Sequence, residues 1–233
     1  MLIQSKQNKK IIELSKLDKK KYRDQTNSYI VIGINSIKEA SKTNSVILEI
    51  TTDKDYQTFN EVIYVTNDVM NKIVDVKPTP KNIAQVSIPT DAQFCSSKVL
   101  VIDEIQDPGN LGTILRTSLA LGICDVFIGN GTVDIYNSKV TRAMQGVEFH
   151  INFLYGDVYD YLSKSKLPIV TTFLDEENQV ECSLEEFNLV IGNEGRGIDK
   201  RIKELEHKNK KIDIEFESLN VAIATAIILN EIR

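Results

Sequence analysis

The sequence predicts an α/β protein: a mostly parallel sheet with helices on both faces, preceded by a small α/β domain. Three observations carry this. From residue 98 onward, short apolar strands alternate with helical stretches, the pattern of a parallel sheet covered on both sides. The run Val99-Leu100-Val101-Ile102 is continuously apolar and β-branched, as strands buried on both faces are. Between residues 77 and 98 the chain places Pro78, Pro80 and Pro89, which marks a boundary between residues 1–92 and 93–233.

In the first domain, residues 5–23 read as one helix, with Ile11, Ile12, Leu14 and Leu17 as the apolar stripe and lysines opposite. Residues 29–32 form a strand ending at Gly33, and 36–42 a short helix. Strands follow at 46–50 and 62–65. Asn67 caps a helix running through Ile73, and a strand around 84–88 closes the domain.

The second domain opens with the strand 99–102. Asp107-Pro108-Gly109-Asn110 then turns the chain, proline presetting φ and glycine allowing it to become positive. A helix follows, with Leu111, Ile114, Leu115 and Leu119 at helical spacing and Gly122 as its C′ residue. This succession sets backbone N–H groups beside the carboxyl end of a parallel strand, where open α/β sheets bind ligands. Asn110, Arg116 and Thr117 are more polar than core packing explains.

Further strands are expected at 125–128, 149–153, 169–174, 189–191 and 212–216, with helices at 138–145, 158–162, 184–187 and 199–207. A last helix spans 219–232, with Ser218 as its N-cap. It is apolar nearly all round, so one face packs on the sheet and the other needs a second partner. A symmetric copy of the chain is the simplest.

Composition narrows the function classes. With 42% hydrophobic and 26% charged residues the chain is that of an ordinary soluble protein. No apolar run reaches transmembrane length, and the Lys-rich start has no hydrophobic signal core, so no membrane contact and a cytoplasmic location are expected. Cys95, Cys124 and Cys182 are far apart and odd in number. They read as reduced thiols without zinc spacing, and with only His150 and His207 besides, no metal is expected.

The net charge of −5 conceals an asymmetry: residues 1–23 carry a net +6, leaving −11 on the rest. A basic arm holding Lys9, Lys10, Lys19, Lys20, Lys21 and Arg23 fits contact with nucleic-acid phosphates. A solvated helix face has the same composition, so both readings stay open.

The loop Gly192-Asn193-Glu194-Gly195-Arg196-Gly197 follows a buried strand, as phosphate-binding loops do. It lacks the Lys-Ser/Thr of a P-loop and the spacing of the dinucleotide fingerprint, and Glu194 would repel a phosphate. Either the ligand is neutral or cationic, or an arginine pairs with Glu194, or the glycines serve only a tight turn.

Taken together, DPGNLGTILRTSLALG (107–122), LVIGNEGRGI (189–198) and ESLNVAIATAIILNE (217–231) resemble the SpoU/TrmH family of RNA 2′-O-ribose methyltransferases, in the family's order. Val140-Thr141-Arg142-Ala143 with Gly146 and Phe149 resembles the segment between the first two. The first domain is similar to the substrate-binding domain many members carry, through SKQNKKI and Thr79-Pro80. It has Ile32-Gly33 where relatives have Glu-Gly, and Lys81-Asn82 where they have Gln-Gly.

The resemblance implies a C-terminal trefoil knot, a homodimer and S-adenosyl-L-methionine as cofactor, gripped mainly by backbone groups. By matching position these belong to Thr171 or Thr172, Gly192, Ile212, Ile214 and Leu219. Arg116 would position the ribose hydroxyl and stabilise the developing alkoxide, supported by Asn110 and Glu194, while Ser218 and Asn220 shape the cofactor side. Asn110 and Arg116 of one chain would complete the other chain's site. Where relatives read Ile-Pro-Met this chain has Ile212-Asp213-Ile214, then Glu215, which would set two carboxylates beside the cofactor. Ribosomal RNA is the favoured substrate. The alternatives are transfer RNA, a homologue that binds RNA or the ribosome without catalysis, or an unrelated small-molecule enzyme.

Overall fold

The computed structural model describes residues 2–56, 60–173, 179–180, 183–215 and 217–233. The chain packs as two compact units, Met1–Thr90 with Asp134–Phe149, and Asp91–Val133 with His150–Arg233. The sequence reading placed the segment 134–149 in the second domain; it packs instead with the first unit.

The first unit is built on a five-stranded mixed sheet. Its strands are β1 (Leu2–Ile3), β2 (Ser28–Ile32), β3 (Val46–Thr51), β4 (Val62–Val65) and β5 (Asn82–Ser87), in the order β1-β4-β3-β5-β2. β5 runs antiparallel to β2 and β3, and the other pairings are parallel. Helices α1 (Lys9–Lys16), α2 (Lys20–Thr26), α3 (Ile34–Lys42) and α4 (Asn67–Ile73) complete its first stretch. Ile11, Leu14, Val69 and Met70 share one core cluster with Ile50 and Ile83. Ile37 and Ala40 share another with Tyr29, Val31 and Ala84, against which Tyr136 and Phe149 pack. The α4 cap is Thr66 and not Asn67, because the Thr66 hydroxyl accepts from Val69 N–H.

The single helix expected over 5–23 is broken into α1 and α2, and Arg23 fastens the break. Its guanidinium donates to the carbonyls of Leu17 (2.9 Å) and Asp18 (2.7 Å), at the end of α1, and to the Asp134 carboxylate at 2.5 Å. With 4% of its surface exposed, Arg23 cannot meet a phosphate, which corrects its assignment to the basic arm. Lys9, Lys10, Lys19, Lys20 and Lys21 are exposed. An Arg23→Ala variant should lose about 3 kcal/mol or more in urea unfolding, since it takes the cationic partner from Asp134 and the donor from two carbonyls. A loss below 1 kcal/mol would contradict this structural role.

The second unit holds a six-stranded, wholly parallel sheet. In chain order come β6 (Lys98–Ile102), α5 (Pro108–Ala120) and β7 (Asp125–Gly129). After α6 (Ser138–Met144), which belongs to the first unit, follow β8 (Asn152–Gly156), α7 (Val158–Leu162), β9 (Ile169–Thr171), β10 (Phe187–Ile191), β11 (Lys208–Asn209) and α8 (Val221–Ile232). The strand order is β11-β9-β10-β6-β7-β8, so the chain runs outward from β6 on one side and then fills the other. The reversal falls between β6 and β10, the switch point where ligands bind.

Three expectations fail here for physical reasons. Residues 184–187 are not helical: Phe187 is fully buried and opens β10, paired with Lys98. No strand forms at 212–215. The pairing strand is the earlier β11, because buried Asn209 bonds the N–H and C=O of Phe173 through its side chain (2.8 and 2.7 Å). The expected residues Leu174 and Phe216 lie outside the described ones. Around 199–207 there is a short 3-10 turn, Lys200–Glu204, in place of a full helix.

Candidate active site

The carboxyl ends of β9, β10, β6 and β11 open on a cavity of about 730 Å³, a size suited to one cofactor-sized molecule. Its walls come from four loops and from the start of α8. The register of β10 on β6 pairs Ile191 with Ile102, which brings the glycine loop level with the Asp107–Asn110 turn.

The turn is preorganised by its own sequence. Asp107 is the N-cap of α5, its carboxylate accepting from Asn110 N–H at 2.7 Å, and Pro108 needs no hydrogen-bond acceptor at the helix start. The Asn110 side chain then makes the central link of the site. Its Nδ2 donates to Glu194 Oε1 (3.1 Å), and its Oδ1 accepts from Asn220 Nδ2 (2.9 Å). Three segments distant in sequence are thus joined by one hydrogen-bond chain at the cavity wall.

Glu194 also accepts from the backbone N–H groups of Gln106 and Asp107, both at 3.3 Å. Burial pushes its carboxyl up, but the Asn110 side chain and these N–H groups outweigh that and hold it below the ordinary carboxylate value. It is therefore ionised at neutral pH and only accepts. The arginine sought for it pairs elsewhere: Arg196 meets Glu104, whose carbonyl takes the Asn193 side chain at 2.8 Å. Glu104 itself sits at a φ of +56°, an uncommon conformation for a residue with a side chain, and it fastens the glycine loop from the β6 side.

Gly192, Ile212, Ile214 and Leu219 all line the cavity. Of the two threonines Thr172 lines the cavity, its hydroxyl donating to Val190 C=O at 3.3 Å. Thr171 is fully buried and bonds to Asn209 and Lys208. Ser218 lines the cavity but is not a cap; Asn220 is, its Oδ1 accepting from Ala222 and Ile223 N–H. Asp213 and Glu215 do not line the cavity, so the departure from Ile-Pro-Met leaves its wall apolar at Ile212 and Ile214.

Arg116 stays apart from the cavity. It projects from the exposed side of α5, does not line the cavity, and has no hydrogen-bond or ion-pair partner among the described residues. Asn110, which the resemblance implied would serve another chain, is bonded within its own. The sequence reading missed Phe173 and the cationic rim of Lys200, Lys203, Lys210 and Lys211. The Lys203 ammonium lies 4.6 Å from the centre of the Phe173 ring. No local pattern marks these residues, because three separate loops supply them.

The cavity fits S-adenosylmethionine by its chemistry: a glycine cradle for close backbone approach, an apolar wall for an adenine, and lysines for a carboxylate. The comparisons agree. Residues 97–230 match the model of the SpoU rRNA methylase family, and residues 8–84 match that of an MRM3-like substrate-binding domain. The chain is 34% identical, over 99% of its length and 98% of the relative's, to the Bacillus subtilis 23S rRNA (guanosine(2553)-2′-O)-methyltransferase RlmP. A structure from Porphyromonas gingivalis, described as a TrmH-family RNA methyltransferase, superposes with a TM-score of 0.86 at 28% identity, covering 97% of each chain. An AdoMet-bound rRNA methyltransferase from Sinorhizobium meliloti shares the fold, with a TM-score of 0.86 at 22% identity over 98% of this chain and 95% of its own. The chain belongs to the SpoU rRNA methylase family and is an S-adenosylmethionine-dependent RNA methyltransferase.

Proposed function

We propose that this protein methylates the ribose 2′-hydroxyl of a nucleotide in large-subunit ribosomal RNA, as a cytoplasmic homodimer. The observation that carries the reading is the Glu194–Asn110–Asn220 chain, which joins all three motif segments at one cavity wall. The relative named for 23S rRNA, matched over nearly the whole chain, favours ribosomal over transfer RNA.

S-adenosylmethionine supplies the electrophilic methyl group. The chain's own residues hold the reactants and the charge. A ribose hydroxyl is a poor nucleophile until charge on its oxygen is stabilised, and reacting atoms must be held at near-attack distance. Glu194 and Asn220 fix the Asn110 amide from both sides, so the turn that opens α5 cannot drift from the cavity. The exposed guanidinium of Arg116 is suited to clamp the target phosphate and stabilise the alkoxide. The intact chain of Asn110, Glu194 and Asn220 favours an active enzyme over a binding-only homologue.

The dimer is supported by what α8 leaves uncovered. Ala222, Thr225, Ile228 and Ile232 are buried, while Ile223 stays 52% exposed and Leu219 and Ile214 are exposed nearby in sequence. A second copy would cover this face and carry its Arg116 to the cavity. The trefoil knot belongs to the same reading.

Mapping 2′-O-methyl groups in total RNA with and without the gene tests the substrate. Loss of one mark in large-subunit RNA is expected; loss confined to transfer RNA would overturn the ribosomal assignment, and no lost mark would overturn catalysis. The exposed lysines Lys9, Lys10, Lys19, Lys20 and Lys21 should make RNA affinity fall as salt rises. Changing all five to glutamine should flatten that slope by several units, and an unchanged slope would place the phosphate contacts elsewhere.

A further inference from the structure

We propose that Cys95, Cys124 and Asp125 form a structural site for a soft divalent cation, zinc by preference, at the amino edge of the second unit's sheet. The two thiols are distant in sequence and carry no zinc-type spacing, yet the fold gathers them. The two sulfurs and a carboxylate oxygen of Asp125 all lie within 4.8 Å of one another. Asp125 Oδ1 is 3.7 Å from the Cys95 sulfur and 3.9 Å from the Cys124 sulfur. A tetrahedral zinc with bonds of about 2.3 Å to sulfur and about 2.0 Å to oxygen has sulfur–oxygen edges of about 3.5 Å. The two sulfur–oxygen edges need contract by only a few tenths of an ångström, and the sulfurs, no more than 4.8 Å apart, close to an edge of about 3.8 Å as the metal binds.

The surroundings are already those of a ligand set. Asp125 is fully buried and has no ion-pair partner among the described residues. Its Oδ2 accepts from the N–H groups of Cys95 (2.7 Å) and Ser96 (2.6 Å), and its Oδ1 from Asn152 Nδ2 (2.7 Å). The same Asn152 nitrogen lies 3.4 Å from the Cys95 sulfur. Such bonds fix ligand orientation before a metal arrives. A buried carboxylate beside two thiols lacks a countercharge, and a dication supplies it. Each thiol gives its proton to solvent as its bond to the metal forms. Cys95 is exposed, which leaves an entry path and a fourth position for water.

The location gives the role. Cys124 and Asp125 stand at the start of β7 and Asn152 at the start of β8, whereas the cofactor cavity opens at the carboxyl ends of the strands. The metal would pin the segment that leads into β6 and take no part in methyl transfer.

Cobalt(II) titration of the reduced protein, in a Cys182→Ser background, tests this. The expected result is one equivalent bound per chain, with a thiolate-to-cobalt charge-transfer band that zinc abolishes by displacement. Cys95→Ser and Cys124→Ser should each weaken binding about 100-fold or more while keeping wild-type affinity for S-adenosylmethionine, which shows that the variants fold. Absence of the band, or an undiminished band in both variants, would overturn the site.

Discussion

Replacing Gly192 with alanine should lower affinity for S-adenosylmethionine about 100-fold, close to 2.7 kcal/mol of binding free energy. The reason is steric and local. A Cβ at this position would fall inside the van der Waals envelopes of Gly197 C and Ile198 N and lie 2.6 Å from Gly197 O. These are backbone atoms, so no rotamer change relieves the clash. The loop is closed on itself by Asn193 N–H to Gly197 C=O (3.0 Å) and Gly197 N–H to Asn193 C=O (2.9 Å). It must therefore move as a body. Moving it pulls Glu194 from Asn110 and the N–H groups of Gln106 and Asp107, and so disconnects the cavity wall from α5. The strands beneath are fully buried and should persist, with overpacking costing about 1–3 kcal/mol of stability. Calorimetric titration alongside thermal unfolding separates the two effects. Affinity within threefold of wild type would mean that the cofactor does not depend on this loop.

The same loop shows what a linear sequence can and cannot disclose. β6 was legible because buried parallel strands have local causes, and α5 because its apolar positions recur at helical spacing; the separate turn expected at 107–110 is instead the N-cap and first turn of α5, since Asp107 caps the helix and Pro108 fits its first position. Gly192, Glu194 and Asn110 were legible as motif members, but not that Asn110 would bridge Glu194 to Asn220. That bond depends on how the turn at 107–110, the loop at 192–197 and the start of α8 come together in space. Arg23 was misread for the same reason: a basic residue in a lysine-rich stretch looks solvated until Asp134, far along the chain, is folded against it. Residues 212–215 were misread as a strand because isoleucines at alternate positions serve a sheet face and a cavity wall equally well.

Arg116→Ala should cut turnover by 10² or more, the scale of a single transition-state contact, and leave affinity for S-adenosylmethionine unchanged. The cofactor prediction follows from geometry, since Arg116 does not line the cavity of its own chain. The turnover prediction rests on the proposed dimer, in which the exposed guanidinium reaches the partner's cavity. Near-normal methylation by the variant would remove Arg116 from the chemistry. Mixing distinguishes a shared site from one completed within a single chain. Arg116→Ala and Gly192→Ala proteins, each impaired alone when S-adenosylmethionine is held near its wild-type Kd, are co-expressed with different affinity tags and the doubly tagged species is isolated and assayed at that concentration. With sharing, one cavity of the mixed dimer has an intact Gly192 loop and receives an intact Arg116, while the other has both lesions. Activity should return to about half that of the wild-type dimer per mole. Without sharing, each cavity keeps one lesion and the mixed dimer stays as impaired as its parents. A fully active monomer in sedimentation would refute both the dimer and the shared site, because Arg116 would then have to act on its own chain's cavity.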